Sequence, residues 1–270
     1  MRHDGLFHPH NAYRTTEIRM TESILTLQGL RKSFGPTDII RGVDLDLRRE
    51  ERHALIGPNG AGKSTVFHLI SGNLQPSAGQ IVFNGRRIDG QTPQAINRAG
   101  LARSFQITNI FPKLTVFENL RLAVMRSHGL QYTFWRFIDS APRVREETER
   151  LLELVRLQAK APMMAAELSY SEQRSLEIAM TLASDPQAIL LDEPMAGMSN
   201  EETTYTAELI CEVTRGRALF IVEHDMQVVF SISDRISVLV YGQVIASGTP
   251  DEIRENAAVK EAYLGEEVAA

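Results

Sequence analysis

A chain of 270 residues, 43% hydrophobic and 23% charged, is long enough for a large buried core and has the composition of a globular protein. A net charge of −5 argues against a nucleic-acid partner, and a single cysteine, Cys211, excludes an intrachain disulfide or a zinc cluster and suits a reducing compartment. No apolar run has the length of a bilayer span or forms the core of a signal peptide, so a membrane role requires a partner that spans the membrane.

Residues 1–22 are polar and irregular and read as a tail; His3, His8 and His10 leave a metal site as the alternative, and Met20 is an alternative start. Residues 24–28 and 43–47 run or alternate apolar as strands do, with Phe34-Gly35-Pro36 as a turn between them. His53-Ala54-Leu55-Ile56 is a short buried strand. It leads into Gly57-Pro58-Asn59-Gly60-Ala61-Gly62-Lys63-Ser64-Thr65, which fits the pattern Gly, four residues, Gly-Lys-Ser/Thr without a mismatch. The glycines let the backbone curl and bring its N–H groups close to a triphosphate, where a Cβ would obstruct. Lys63 supplies a point charge for the β- and γ-phosphates, and the Ser64 hydroxyl suits Mg²⁺. Residues 65–71 read as the first turns of a helix whose N-terminus points at the phosphates. The stretch predicts binding of a nucleoside triphosphate.

Residues 80–83 form a further strand, closed by the turn Asn84-Gly85. From about 98 to 162 the texture changes. A helix is predicted over 146–157, with Val144, Thr148, Leu151 and Val155 on one face, and Tyr132, Phe134, Trp135 and Phe137 crowd before it as a small core or a docking surface. The span reads as a helical subdomain inserted into an α/β domain. Beyond it the prediction is a helix from 172 to about 184, a strand over 188–191, a helix near 201–213, and a strand at Ala218–Val222. A hairpin of 236–240 and 244–246 follows, and a helix starts at Thr249-Pro250-Asp251-Glu252, a capping box with proline in the first turn. Alternating strands and helices mean a mainly parallel sheet with ligands at its carboxyl edge. There Leu190-Leu191-Asp192-Glu193 ends a buried strand with two carboxylates: Asp192 to hold Mg²⁺ through water, Glu193 to polarise an attacking water. His224, just past another strand, either senses the γ-phosphate or caps the strand.

The stretch 57–65 is followed, in order and at matching spacing, by Ser104-Phe105-Gln106, Leu168-Ser169-Tyr170-Ser171-Glu172-Gln173, residues 188–193, Ala196-Gly197-Met198-Ser199 and Val222-Glu223-His224-Asp225. Over about residues 24–265 the chain resembles the ATP-binding subunits of ATP-binding-cassette (ABC) transporters. The resemblance implies an α/β P-loop NTPase fold with an N-terminal antiparallel β subdomain and an inserted helical subdomain at about 98–184. The whole domain would span 23–265, with a short tail at 266–270. It implies ATP and Mg²⁺ as cofactors. Phe34 would stack on adenine, Gln106 would touch Mg²⁺ and the lytic water, Glu193 would be the catalytic carboxylate and His224 the switch histidine at the γ-phosphate. Ser169, Ser171 and Gln173 would complete the ATP site of an opposing subunit, so that two ATP molecules hold two subunits head to tail.

Within the family the chain looks closest to branched-chain amino acid importer subunits, on Val222-Glu223-His224-Asp225-Met226, Ala196-Gly197-Met198, the aromatic Tyr170 and the closing Glu261-Ala262-Tyr263-Leu264-Gly265. Urea or short-amide importers and the ATPase of lipopolysaccharide export are similar alternatives. The implied partners are integral-membrane permeases, a second identical or different ATP-binding subunit and, indirectly, an external solute-binding protein, at the cytoplasmic face of the inner membrane. Three residues depart from the family pattern: Ser171 replaces a glycine, Ser199 replaces an aspartate, and Phe34 lacks the tyrosine hydroxyl. They motivate a rival reading as a non-hydrolysing nucleotide-binding module. A non-transport ABC ATPase acting on DNA or ribosomes is a second rival. Because Lys63, Asp192, Glu193 and His224 are all present, hydrolysis is expected.

Overall fold

The structure, a computed structural model, describes residues 22–104, 110–130 and 142–267, with side chains described as far as Ala262. Phe105, Gln106, the aromatic cluster at Tyr132, Phe134, Trp135 and Phe137, and the N-terminal histidines lie outside the described residues. β1 (Ser23–Phe34) and β2 (Thr37–Arg48) form an antiparallel hairpin across Gly35-Pro36. Both run past the apolar stretches visible in sequence because the polar ends pair too: Arg31 with Arg41, Ser33 with Asp38, and Phe34 with Thr37. β4 (Ala78–Phe83) pairs on the other side of β1, and β5 (Arg86–Arg87) follows across Asn84-Gly85, both at positive φ as a tight hairpin turn requires.

The second sheet contains β3 (Arg52–Ile56), β6 (Leu101–Arg103), β7 (Ala188–Asp192), β8 (Ala218–Val222), β9 (Arg235–Val240) and β10 (Gln243–Gly248), in the order β10-β9-β3-β8-β7-β6. All neighbours are parallel except β10 with β9. Its central strands are mostly apolar, β8 at every position, because both faces are covered. Leu55, Leu190, Phe220 and Val222 join one core, which contains Val66, Phe67, Leu69 and Ile70 of α1 (Lys63–Ile70) and the inner face of the first sheet. Ala54, Ile56, Ile189, Leu191, Leu219 and Ile221 face the other. Each fully buried Leu or Phe contributes roughly 1.5–3 kcal/mol over its exposed state.

That second core is built with helices α3 (Val116–Ser127), α4 (Pro142–Leu154), α5 (Tyr170–Leu182), α6 (Asn200–Val213) and α7 (Met226–Ile232). A short α2 (Pro93–Arg98) precedes β6, and α8 (Pro250–Glu255) and α9 (Ala257–Glu267) close the chain. The expected capping box at Thr249 and Glu252 is present. Among the described residues no helix is long and apolar enough to cross a membrane.

Other boundaries differ in ways that bear on the inserted helices and the C-terminus. β6 pairs with β7 at the sheet edge, so the sheet continues past residue 98 and the inserted helices begin at α3. α4 starts at Pro142 and ends at Leu154, short of 157. Arg156 takes φ 60° there, with Leu157 N–H bonded to Leu152 O and Arg156 N–H to Glu153 O; the chain turns off the helix without the usual glycine, while Val155 and Leu157 stay buried. α9 continues to Glu267, into the stretch expected as a tail from 266.

Candidate nucleotide and metal site

Strand register assembles the site. Val222 of β8 lies level with Leu55 of β3 and with Asp192 of β7, so the three strands end together at one edge. Past those ends the chain supplies the loop of residues 57–65, then His224, and then Glu193. The expected phosphate-binding, metal-binding and water-activating residues thereby come together from segments far apart in sequence. Glu193 leaves the sheet at φ 45°, a conformation few non-glycine residues adopt, while its N–H donates to Val222 O at 2.8 Å.

The loop is braced by its neighbours. A Cβ on Gly57 would stand 2.0 Å from the Leu239 carbonyl oxygen, and one on Gly62 would stand 2.7 Å from Ile40 Cδ1. At these two positions the obstruction comes from the protein's own β9 and β2. At Gly60 a Cβ would meet open space, and φ 78° is what favours glycine. Gly62 is the N-cap of α1, with no side-chain cap and no acidic residue in the first turn. No side chain of the helix itself competes with an anion at that terminus, where the helix dipole favours negative charge. Lys63 is buried, and its ammonium donates to Gly57 O at 2.6 Å and Pro58 O at 3.0 Å. Ser64 is exposed and Thr65 half-buried beside it; Pro58, Asn59 and Ala61 complete the loop. Phe34, 47% exposed at the β1–β2 turn, has the Lys32 ammonium 4.9 Å from its ring centre.

Asp192 tests the fit to Mg²⁺. It is 1% exposed, and among the described residues neither carboxylate oxygen has a hydrogen-bond partner. Burial pushes its carboxyl above the ordinary range; Arg103, 3.9 Å away, pulls it back, and Glu193 and Glu223 add to the upward push. A buried carboxylate without donors is costly, and a hard divalent cation relieves that cost. Among the described residues no group of three or more His, Cys, Asp or Glu forms a metal cluster. One carboxylate with a serine hydroxyl suits a cation that takes its remaining oxygens from phosphate and water.

Asp225 caps α7, accepting from Gln227 N–H at 2.9 Å and Val228 N–H at 3.3 Å, while the His224 side chain is 62% exposed at the sheet edge. Its backbone N–H bonds to the buried Glu223.

The segment of residues 168–173 starts a different helix. Ser169 caps α5 in a reciprocal box with Glu172, and Gln173 Nε2 donates to Leu168 O at 3.1 Å. Ser169 and Tyr170 are exposed, but Ser171 is buried, its hydroxyl 3.2 Å from Ser169 Oγ and also hydrogen-bonded to Glu202. Glu202 in turn accepts from Ser199, the N-cap of α6. The two serines that depart from the family pattern are thus linked through one carboxylate. The backbone N–H of Ser199 and then the two hydroxyls hold that carboxyl below its ordinary range.

Sequence reasoning missed three groups at this edge. Arg103 stacks on the Phe67 ring, bonds to Ser71 Oγ at 2.9 Å and faces Asp192. Arg174 of α5 donates to the Asp192 carbonyl at 3.2 Å and pairs with Glu177. Glu223 was visible as an acid at the end of an apolar strand but carried no assigned role.

The family profile described as ABC transporter matches residues 40–196. The profile described as Branched-chain amino acid ATP-binding cassette transporter matches residues 243–269. The chain is 39% identical over 256 residues to the high-affinity branched-chain amino acid transport ATP-binding protein LivG of Salmonella typhimurium, covering 92% of this chain and 100% of LivG. It is 32% identical over 247 residues to the lipopolysaccharide export system ATP-binding protein LptB of Haemophilus influenzae, covering 91% of this chain and 98% of LptB. The solved ADP conformation of MJ1267, an ATP-binding cassette of an ABC transporter, matches with a TM-score of 0.80 at 26% identity, covering 91% of this chain and 100% of that one.

Proposed function

The chain belongs to the ABC transporter family of ATP-binding subunits, and from that premise we propose that it hydrolyses ATP to energise a membrane importer of branched-chain amino acids. The observation that carries the cargo is the branched-chain match at residues 243–269, beside the greater identity to LivG than to LptB. The protein works at the cytoplasmic face of a membrane, docked on permease subunits, and its ATP-bound form pairs with a second ATP-binding subunit.

In this reading Lys63 leaves the Gly57 and Pro58 carbonyls for the β- and γ-phosphates, which the N–H groups of the loop and of α1 surround. Ser64 and Asp192, with Gln106 as the third candidate, hold Mg²⁺, which neutralises phosphate charge when bound. Phe34 stacks on the adenine. Glu193 orients the attacking water and takes its proton, and His224 reaches the γ-phosphate from the neighbouring strand end. Ser169, Ser171 and Gln173 of the second subunit cover the nucleotide.

The test is reconstitution with its permeases and binding protein in vesicles loaded with Mg²⁺ and ATP, reading uptake of labelled leucine. Uptake that needs internal ATP is expected. With Glu193→Gln, nucleotide affinity should hold while turnover and uptake fall about 10²–10⁴-fold, because only the proton acceptor is lost. Near-normal turnover in that variant rules out Glu193 as the base. Hydrolysis coupled to lipopolysaccharide release in place of leucine uptake rules out the cargo.

A further inference from the structure

We infer that Glu223 is the positioning residue that holds Glu193 and His224 in register with one another, a link that rests on the roles proposed for those two residues. Its carboxylate is 1% exposed, immediately past the buried end of β8. Oε1 accepts the Met195 N–H at 3.0 Å, and Oε2 accepts the His224 N–H at 3.0 Å. One side chain therefore fastens two loops that the sheet itself leaves free, the turn after β7 and the turn after β8.

Each loop needs that fastening. Glu193 has a left-handed backbone and is anchored upstream by its own N–H on Val222 O; downstream, the turn closes through Ala196 N–H on Glu193 O and Met195 N–H on Glu223. The His224 imidazole is mostly in solvent, so packing does not aim it. Its direction follows from the approach of Glu223 Oε2 to its Nδ1 at 3.6 Å and from its backbone, held by Glu223 on one side and by the Asp225 cap of α7 on the other. Through Met195 the connection continues: Met198 N–H bonds to Met195 O at 3.2 Å, next to the α6 cap at Ser199.

An apolar side chain of the same size would fill the space but strand the buried Met195 N–H and the part-buried His224 N–H. Glutamine would accept one and turn an NH₂ toward the other. Only a carboxylate satisfies both.

The experiment compares the full chain with Glu223→Met, which keeps the size but removes both acceptors, by steady-state ATP hydrolysis with Mg²⁺, nucleotide binding, thermal melting and amide hydrogen exchange. Expected is a fall in kcat of about tenfold or more with KM and nucleotide Kd within about twofold. Exchange at Met195 and His224 should quicken together while the amides of β3 and β8 stay protected. Three results overturn the inference: kcat within about twofold of the parent, release of one amide without the other, or a fall in kcat accompanied by a rise in KM and a drop in melting temperature. Should the variant not fold, exchange on the unaltered chain decides. Both amides must be slowed about a hundredfold or more relative to unstructured chain, and an unprotected Met195 or His224 refutes the bridge. Normal turnover in Glu193→Gln would instead sink the role given to Glu193 and leave the exchange result standing.

Discussion

His53 shows how one residue ties the stability of the whole sheet to pH. Its ring is fully buried under β1 and β2, with Nδ1 3.1 Å from the Asp46 carbonyl and Nε2 2.8 Å from Ser237 Oγ. A carbonyl only accepts, so Nδ1 carries the proton, and Ser237 Oγ, also bonded to Ser247 Oγ, lies against Nε2. Burial first, then the nearby Arg235 charge, takes the ring from its ordinary 6.5 to about 3. Between those values the unfolded ring binds a proton that the folded ring refuses, so stability is intact above 6.5 and drains away as pH falls toward 3. The slope approaches about 1.4 kcal/mol per pH unit for one such group. Urea unfolding between pH 6 and 4.5 should therefore lose stability less steeply in His53→Gln, by about 1 kcal/mol per pH unit. Parallel slopes would mean that the buried ring is protonated in the native state.

Among the elements, the β9–β10 hairpin does more than close the sheet. Tyr241 and Gly242, both at positive φ, make its tight turn, and Gly242 N–H donates to Ala61 O of the phosphate loop at 3.0 Å while its carbonyl accepts from Arg41 at 2.9 Å. The tip is wedged between that loop and β2. A Cβ on Gly242 would lie 2.0 Å from Ile39 O and 3.1 Å from Ile40 Cα, so Gly242→Ala must lift the hairpin and release Ala61. The expected outcome is nucleotide affinity weaker by about tenfold, read by equilibrium titration, although the residue lies outside the phosphate-binding stretch. Tyr241→Ala, at a side chain 79% exposed, should change affinity and stability little.

The same scale explains what could be read from sequence. Residues 54–56 of β3, 188–191 of β7 and all of β8 are continuous apolar runs because both faces are buried, and the three strands were legible to within a residue. β6 has three residues, too short for any period, so Arg103 and its approach to Asp192 were invisible. The end of α4 was misplaced because Arg156 occupies the position where glycine would have been a signal. At the site, residues that follow strand ends could be found from motif and spacing. Arg174 and Glu223 act through bonds to backbone groups distant in sequence, which no local pattern encodes.

For the whole molecule, the proposed site is divided between two subunits, and the structure supplies the means to test the division. The phosphate loop and α1 pack on β2, β7 and β8, whereas Ser169, Ser171 and Gln173 open α5, which packs on α3, α4, α6 and β6. Ser169 is both an exposed residue and an N-cap. Aspartate caps a helix as well as serine does, so Ser169→Asp should preserve the fold while placing a negative charge against an approaching triphosphate. Ser169→Asn, equally good as a cap and uncharged, is the control and should retain turnover. If the segment acts only on the partner's nucleotide, Ser169→Asp binds ATP normally as a monomer but hydrolyses at least about tenfold more slowly, whereas Lys63→Ala loses ATP binding itself. Mixed in equal amounts, the two defective proteins form hybrid dimers as about half of all pairs, each with one site whose loop and lid are both intact. Recovery of up to about a quarter of parental turnover is then expected, far above either variant alone. Weakened ATP binding by monomeric Ser169→Asp, with no recovery on mixing, would place the segment against its own subunit's nucleotide and end the divided-site account.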